Sequence, residues 1–305
     1  MADFSKYSEP VPEWLELLEK NPQAAKHGYD VKLFPDDPIK LRDESNKQRD
    51  AMSTKMFHFL GLDKVVRYTD HLIPTRDGQI IYLRAYRPIN LPLEEVTPAL
   101  LYYHGGGMLI GSLDSELPLA SLLTHSLNMT VLHVCYRHTP EYKHPTQHND
   151  SWDGFEWILA HGKELGIDPT QISLGGVSAG ATLAASVTLA ETCLALKENR
   201  PQRINGQVLI APWLVTHDQF PFDLLQNRER SSIVQNALEP TLPKVRLDLF
   251  TGLYAATDPK DSFNNFLFAN DEVLAALPRT AIVVHGKDIL RDEGLLYAQI
   301  LERLG

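Results

Sequence analysis

The residues Gly176-Val177-Ser178-Ala179-Gly180 decide the fold that this sequence predicts, because they join a strand pattern to a helix pattern. An apolar, β-branched stretch at 171–174 precedes them, and a long helical pattern at 179–198 follows. Glycines two residues before and after Ser178 let the backbone bend sharply and keep side chains from clashing with neighbouring elements. We therefore expect Ser178 at the apex of a strand-turn-helix unit, with its hydroxyl held out as a nucleophile.

A second motif, His104-Gly105-Gly106-Gly107, follows its own apolar segment at 99–103. Three successive glycines free the backbone to aim amide N–H groups at one point, where a carbonyl oxygen that turns into an oxyanion would lie. Either motif alone is weak evidence, since both patterns occur by chance in flexible loops. Both in this order, each after a predicted strand, indicate a site for nucleophilic attack on a carbonyl group.

Composition limits the classes of protein that fit. The 305 residues suit one large α/β domain or two small ones, and the 43% of apolar residues can form a substantial core. A net charge of −10 without a basic block argues against nucleic acid or an anionic membrane as a partner. The first twelve residues are polar, and no apolar run approaches membrane-spanning length, so we expect neither a secretory signal nor membrane insertion. Cys135 and Cys193 are expected to be buried and reduced, which favours a cytoplasmic location.

Strand and helix patterns alternate along most of the chain. Helical patches lie within 11–60. Strands are predicted at 64–72, 79–86, 98–103, 129–136, 171–177, 206–210 and 280–285, and further helices at about 116–127, 147–164, 179–198 and 291–304. This alternation indicates an α/β fold with a mostly parallel sheet that is covered by helices on both faces. The turn sequence at 74–78 predicts that the first two strands form an antiparallel hairpin at one edge.

Residues 212–268 do not continue the alternation of strand and helix patterns, because aromatic side chains there lie among prolines and charged residues with only partial helical spacing. The segment is either an ordinary helical connection whose aromatic residues are core, or a lid that covers Ser178 together with the N-terminal residues and lines an apolar pocket. The predicted division is an N-terminal cap segment at 1–50, a core at 51–211, an inserted cap segment at 212–268, and the continued core at 269–305.

Four blocks of sequence resemble the hormone-sensitive-lipase-like branch of the α/β-hydrolase superfamily, from about residue 64 onward. They are His-Gly-Gly-Gly-Met-Leu-Ile-Gly-Ser at 104–112, Tyr-Arg-His-Thr-Pro-Glu at 136–141 with Pro145 after it, Gly-Val-Ser-Ala-Gly at 176–180, and Asp-Ile-Leu-Arg-Asp-Glu-Gly at 288–294. The resemblance implies an α/β-hydrolase fold with a helical cap. It also implies esterase activity through a Ser-Asp-His triad in that chain order, without a metal or organic cofactor.

The resemblance also implies roles for particular positions. Ser178 would be the nucleophile and Asp288 the acid that orients the histidine, while the amides of Gly106, Gly107 and Ala179 would form the oxyanion hole. His104, Gly105, Gly176 and Gly180 would support the two motifs. An alternative role for Asp288 is to cap the helix that begins near Leu290, since Asp is favoured at helix starts.

The catalytic histidine is the point at which this sequence departs from the family. In relatives it follows the aspartate by roughly 30 residues, beyond a last strand, whereas 17 residues follow Asp288 here. We expect the natural polypeptide to continue past Gly305 and to supply the histidine there. We interpret His285 as a strand-end residue that does not face Ser178. A metal site at His144 and His148 is disfavoured by Pro145 between them.

The sequence therefore predicts a serine hydrolase of carboxylic esters, with a small apolar ester or a lactone as substrate. A homodimer is possible, because relatives pair through their last strand. The alternative is a catalytically impaired, receptor-like binding protein on the same scaffold, as plant gibberellin receptors are. Transfer of the acyl group to another acceptor, or amide cleavage, would use the same intermediate and also stays open.

Overall fold

A seven-stranded sheet forms the centre of the computed structural model, which describes residues 1–22, 37–92 and 94–305. The strands are β1 (Val66–Pro74), β2 (Ile80–Pro88), β3 (Thr97–Tyr103), β4 (Thr130–Cys135), β5 (Ile167–Val177), β6 (Gly206–Ile210) and β7 (Arg279–Val283). Their spatial order in the sheet is β1-β2-β4-β3-β5-β6-β7. Each lies at a predicted position, with ends that differ by a few residues.

Helices precede β1, follow β7 and connect the strands from β3 onward. They are α1 (Pro12–Lys20), α2 (Pro38–Phe59), α3 (Leu117–Leu127), α4 (Thr146–Leu165), α5 (Ala179–Glu198), α6 (Ser232–Gln235), α7 (Lys244–Tyr254), α8 (Asp271–Ala275) and α9 (Arg291–Leu304). The four helices predicted between and after the core strands correspond to α3, α4, α5 and α9. Residues 23–36 of the predicted N-terminal cap segment lie outside the described residues.

The predicted edge hairpin is confirmed. Strands β1 and β2 pair antiparallel from Val66 opposite Pro88 to Pro74 opposite Ile80. Gly78 adopts a φ of +78° in the turn, and its N–H donates to the carbonyl of Thr75 over 2.9 Å. A residue with a side chain would be strained in that conformation, so the turn sequence itself closes the hairpin.

Strands β4, β3, β5, β6 and β7 are parallel, as predicted for alternating strands and helices. Helix α5 packs against this part of the sheet and is buried along most of its length. By length and composition α5 is apolar enough to cross a membrane, contrary to our expectation for the sequence, but 78% of its most apolar stretch is buried inside the fold. Burial explains this apolar composition, because a helix surrounded by core has no polar face.

The two cysteines differ from the expectation of burial. Cys135 is half-buried at the end of β4, whereas Cys193 is exposed in the C-terminal part of α5. The structure describes both as free cysteines.

The segment at 212–268 combines the two interpretations left open by its sequence. Five of its aromatic side chains are buried as core, namely Trp213, Phe220, Phe250, Tyr254 and Phe266, whereas Phe268 is exposed. Buried acidic residues of α9 hold the segment to the core, since Glu293 Oε1 accepts a hydrogen bond from the amide of Leu214 over 2.6 Å. The predicted domain boundaries stay predictions, and the one at residue 50 falls within α2.

Candidate active site

Ser178 lies at the bend between β5 and α5, as the sequence predicts. Its φ of +55° and ψ of −121° are unusual for a residue with a side chain, and such strain is retained where surrounding contacts hold it in place. Here the amide of Ser178 donates to the carbonyl of Ile210 over 2.8 Å, and its carbonyl accepts from the amide of Ala181 over 2.9 Å. The bend is therefore fixed from both the neighbouring strand β6 and the following helix.

The two glycines that flank Ser178 are required by close backbone contacts. A Cβ atom on Gly176 would lie 2.3 Å from the carbonyl oxygen of Gly180, and one on Gly180 would lie 2.1 Å from the carbonyl oxygen of Tyr103. Both obstacles are main-chain atoms, which cannot rotate away. The absence of side chains thus lets the start of α5 approach both β5 and the end of β3.

The His-Gly-Gly-Gly loop follows β3 and lies beside Ser178. A Cβ atom on Gly105 would lie 3.4 Å from the Ser178 Cβ. Gly106 and Gly107 have φ values of +126° and +63°, in the left-handed region that favours glycine. Among the described residues, no hydrogen bond within the protein uses the amide N–H of Gly106, Gly107 or Ala179. These donors are open to an oxygen atom of a bound molecule, and Ala179 places one of them at the N-terminus of α5, which favours negative charge.

His104 lies beneath this loop and is fully buried. Its Nδ1 is 2.9 Å from the carbonyl oxygen of Gly105, and its ring stacks on Tyr136 at a centroid separation of 4.4 Å. The Tyr136 hydroxyl donates to the His104 carbonyl over 2.8 Å. Burial lowers the pKa of His104 to about 4, so the ring is neutral at neutral pH. These contacts hold the loop in place from one side.

Asp288 follows β7 and lines the same cavity as Ser178. Its Oδ1 accepts a hydrogen bond from the amide of Leu290 over 2.9 Å. The capping role considered from the sequence is not seen, because the N-cap of α9 is Leu290 and no side chain caps that helix. Its carbonyl oxygen accepts from Asn236 Nδ2 over 2.8 Å. Burial raises the pKa of Asp288 above its ordinary value. The hydrogen bond from Leu290 holds one carboxylate oxygen in place and leaves the other for a further partner.

The cavity in front of Ser178 has a volume of about 580 Å³. Its floor is formed by Gly106, Gly107, Ile110 and Val177, next to Ser178 itself. Its walls come from α2, which contributes Leu41, Glu44, Ser45, Gln48 and Arg49, and from the inserted segment, which contributes Thr241, Leu242, Arg246 and Phe250. Both segments interpreted as a lid therefore face Ser178.

Sequence reasoning missed several of these lining residues. The aromatic residues of the inserted segment were noted, but Phe250 carried no signal that distinguished it from its neighbours. Helical spacing around Leu41 and Arg49 showed no feature of a binding site, because a residue that lines a cavity from a distant helix has no local motif.

Three of the histidines considered from the sequence, His285, His144 and His148, fall in two places. His285 lies past the end of β7 instead of within it, is exposed, and lines the cavity with Ser178 and Asp288, which differs from the sequence interpretation. Among the described residues it is the one histidine in that lining. His144 and His148 are not among the residues that line this cavity, and they contact other side chains, His144 with Asp261 over 2.9 Å and His148 with Ser186 over 2.6 Å. Within the described ranges, no group of three or more His, Cys, Asp or Glu side chains is placed to hold a metal ion.

Comparison with known proteins agrees with this architecture. A family model described as alpha/beta hydrolase fold matches residues 100–305. The carboxylic ester hydrolase LipN of Mycobacterium tuberculosis is 31% identical over 283 residues, which cover 91% of this chain and 69% of that protein. An arylesterase of Saccharolobus solfataricus is 32% identical over 240 residues, which cover 76% of this chain and 72% of that protein.

A solved structure leads to the same family. The thermophilic carboxylesterase EstE1, cloned from a metagenomic library, superimposes with a TM-score of 0.74 at 30% identity, covering 88% of this chain and 84% of the other. Together with the matching family model and the Ser178 bend, these likenesses show that the chain belongs to the hormone-sensitive-lipase-like branch of the α/β hydrolases and is a hydrolase of the carboxylesterase type.

Proposed function

We propose that this protein hydrolyses small carboxylic esters or lactones, with Ser178 as the nucleophile. The observation that carries the proposal is the strained bend at Ser178, which faces one cavity together with the glycine loop and Asp288. A serine held at positive φ beside unused backbone donors has chemical value only if a bond forms there.

The proposed reaction proceeds by acyl transfer. The Ser178 Oγ attacks the carbonyl carbon of the ester, and the carbonyl oxygen becomes an oxyanion that accepts hydrogen bonds from the amides of Gly106, Gly107 and Ala179. Collapse of this intermediate expels the alcohol and leaves an acyl-serine. Water then attacks the acyl carbon, the bond between that carbon and Ser178 Oγ breaks, and the carboxylic acid leaves while a proton returns to Ser178 Oγ. Loss of one such amide donor typically costs about 100-fold or more in rate.

A general base is needed to take the Ser178 proton, because a serine hydroxyl is a poor nucleophile at neutral pH. We propose a histidine in this role, oriented by the Asp288 carboxylate. His285 lines the cavity among the described residues, so the variant His285→Gln tests whether it contributes. His285 would be identified as the base if His285→Gln loses activity and if the activity of the wild type depends on pH through the titration of a single group.

Apolar side chains in the cavity suit an apolar substrate. Leu41, Ile110 and Val177 line it together with Leu242 and Leu290. Their surfaces favour burial of hydrocarbon at roughly 25 cal/mol per Å². A volume of about 580 Å³ is in the usual range for small-molecule sites. These features support a small ester with a short or medium acyl chain.

The proposal is tested by turnover and by labelling. The purified protein should hydrolyse 4-nitrophenyl acetate and butyrate, and a fluorophosphonate probe should attach to Ser178, as located by mass spectrometry of peptides. The variant Ser178→Ala should lose both properties. Ser121→Ala is a matched control, because Ser121 is a fully buried serine of α3 outside the cavity. Turnover that survives Ser178→Ala would refute the proposed nucleophile.

The second candidate is a binding protein on the same scaffold. It is favoured by one observation, namely that no hydrogen bond joins the Ser178 side chain to a histidine in the described part of the chain. Tight binding of an apolar lactone without turnover, together with no labelling at Ser178, would support this candidate.

Addition of a competing alcohol to the turnover assay separates hydrolysis from acyl transfer to another acceptor.

A further inference from the structure

Helix α7 of the inserted segment presents one buried face to the core. Leu247, Phe250 and Tyr254 are its buried residues, and their spacing of three and four places them along the same side. Phe250 lies toward Ser178, and Tyr254 lies one turn further along the helix. Because Phe250 and Tyr254 lie on the same helix, contacts that hold Tyr254 in place also affect the position of Phe250.

Phe250 lies directly on the glycine loop. A Cβ atom on Gly107 would lie 2.0 Å from Phe250 Cδ2 and 2.2 Å from Cγ, so the ring covers the α-carbon of Gly107. The same ring lines the cavity in front of Ser178 and is only 5% exposed. If the carbonyl oxygen of an ester accepts a hydrogen bond from the Gly107 amide, the groups attached to the carbonyl carbon lie beside the Phe250 ring.

Tyr254 is anchored by a cluster of polar side chains, which we call the Tyr254 cluster: Tyr254, His144, His148, Asp261 and Asn264. The Tyr254 hydroxyl hydrogen-bonds to His148 Nε2 and to Asn264 Oδ1, and lies 3.1 Å from His144 Nδ1. Asn264 Nδ2 donates to Asp261 Oδ2 over 2.8 Å, and the His144 amide donates to the Tyr254 carbonyl over 3.0 Å.

The cluster connects α7 to the core of the fold. His148 lies on α4, and its Nδ1 is 2.6 Å from the hydroxyl of Ser186 on α5, the helix that begins at the Ser178 bend. Burial lowers the pKa of His148 to about 3, so its ring is neutral and has one donor and one acceptor nitrogen for its two partners. Tyr254, His148 and Asn264 are the buried members of this cluster. Moving any of these three would leave a buried polar group without a partner, so the hydrogen bonds favour one arrangement.

We propose that Phe250 is the residue that limits the length of the acyl chain accepted at Ser178, and that Tyr254 is its positioning residue. This inference rests on the proposed esterase function and names a determinant of its specificity. The ring of Phe250 closes the cavity next to Gly107, where the first carbons of an acyl chain would lie. The Tyr254 cluster holds α7 in place, so the Phe250 ring does not move away when a longer acyl chain enters the cavity.

The experiment compares acyl chain lengths. Values of kcat/KM are measured for 4-nitrophenyl butyrate, hexanoate, octanoate and decanoate with the wild type, Phe250→Ala and Tyr254→Phe. Phe250→Ala should raise the octanoate-to-butyrate ratio by about tenfold or more, because a few methylene groups gain room in an apolar pocket. Tyr254→Phe retains the ring and removes only the anchoring hydroxyl, so it should shift the ratio in the same direction by about threefold or more.

Two matched controls separate specificity from stability. Phe266→Leu and Tyr297→Phe change fully buried aromatic residues that do not line the cavity, so they should lower the melting temperature without a change in the ratio. A series of alkyl acetates, in which only the alcohol lengthens, should show no comparable shift.

The outcomes are distinct. Hydrolysis with an unchanged acyl profile in Phe250→Ala overturns the role of Phe250. A shift confined to the alkyl acetates overturns the assignment to the acyl chain. A shift in Phe250→Ala that is absent in Tyr254→Phe overturns the positioning role. Absence of hydrolysis by the wild type at every chain length refutes the proposed function instead, and this inference with it.

Discussion

The variant Gly180→Ala tests the close contact between the start of α5 and the end of β3, which places the Ser178 bend beside the glycine loop. In an exposed helix interior the change from glycine to alanine stabilises by about 1 kcal/mol. At Gly180 the added Cβ would lie 2.1 Å from the Tyr103 carbonyl oxygen and 2.6 Å from that of His104. The main chain at the end of β3 must then move by about 1 Å to restore an ordinary contact.

This movement has two measurable consequences. Overpacking of this kind typically costs about 1–3 kcal/mol. After the helix preference of about 1 kcal/mol is subtracted, the free energy of unfolding should fall by up to about 2 kcal/mol. Displacement of the loop by about 1 Å misplaces the amides of Gly106 and Gly107, which should lower kcat/KM for 4-nitrophenyl butyrate by about 100-fold.

Gly252→Ala is the matched control. Gly252 is an exposed position of α7, and an added Cβ there would meet nothing within 4 Å. This variant should gain about 0.5–1 kcal/mol and retain full activity. Urea unfolding measures the stability of all three proteins, and initial rates measure their activity. If Gly180→Ala is as stable and as active as Gly252→Ala, the close contact between α5 and β3 is not real and the reasoning fails.

Three further predictions concern strain, crowding and protonation. At position 178, the variant Ser178→Gly should be more stable than Ser178→Ala by about 1 kcal/mol in urea unfolding, because glycine adopts the φ of +55° without strain; equal stabilities would show that the bend is not strained. Gly107→Ala should lose about 100-fold in kcat/KM, because its Cβ would overlap the ring of Phe250, and the added substitution Phe250→Ala should restore stability; no restoration would place the damage elsewhere. Burial lowers the pKa of His104 from an ordinary 6.5 to about 4. Between these two pH values, His104 therefore binds a proton in the unfolded chain but not in the folded chain. Stability from this group is complete above pH 6.5 and falls as the pH drops toward 4, by about 3 kcal/mol in total. Burial also lowers the pKa values of His133 and His138, which adds to the loss. Unfolding at pH 7.5, 6.0 and 5.0 measures the effect, and a flat profile would contradict the burial of these rings.

Local features of the sequence were sufficient to predict the central architecture. The Gly-Val-Ser-Ala-Gly motif, the turn at 74–78 and the alternation of strand and helix patterns each depend on residues that are close together in the chain. Their positions in the structure agree with the prediction within a few residues. Ser178 lies at its bend for the same reason, because two glycines and the adjoining strand and helix specify the local geometry.

Features that join distant parts of the chain were predicted poorly. His285 was expected to face away from Ser178, but β7 ends at Val283 and the residue lies in the following loop, where it lines the cavity. Cys193 was expected to be buried but lies on an exposed side of α5. A helix that is apolar on nearly all sides does not reveal by its sequence which face meets solvent.

The sequence by itself determined the order of strands and helices, the bend at Ser178 and the family to which the chain belongs, since each depends on short-range periodicity and on backbone conformations that only glycine adopts easily. The tertiary structure alone decided that Phe250 covers Gly107, that α2 lines the cavity, and that Tyr254 is anchored to α4. Such contacts join segments that are far apart in the chain and arise only when the sheet brings them together, so no local pattern encodes them.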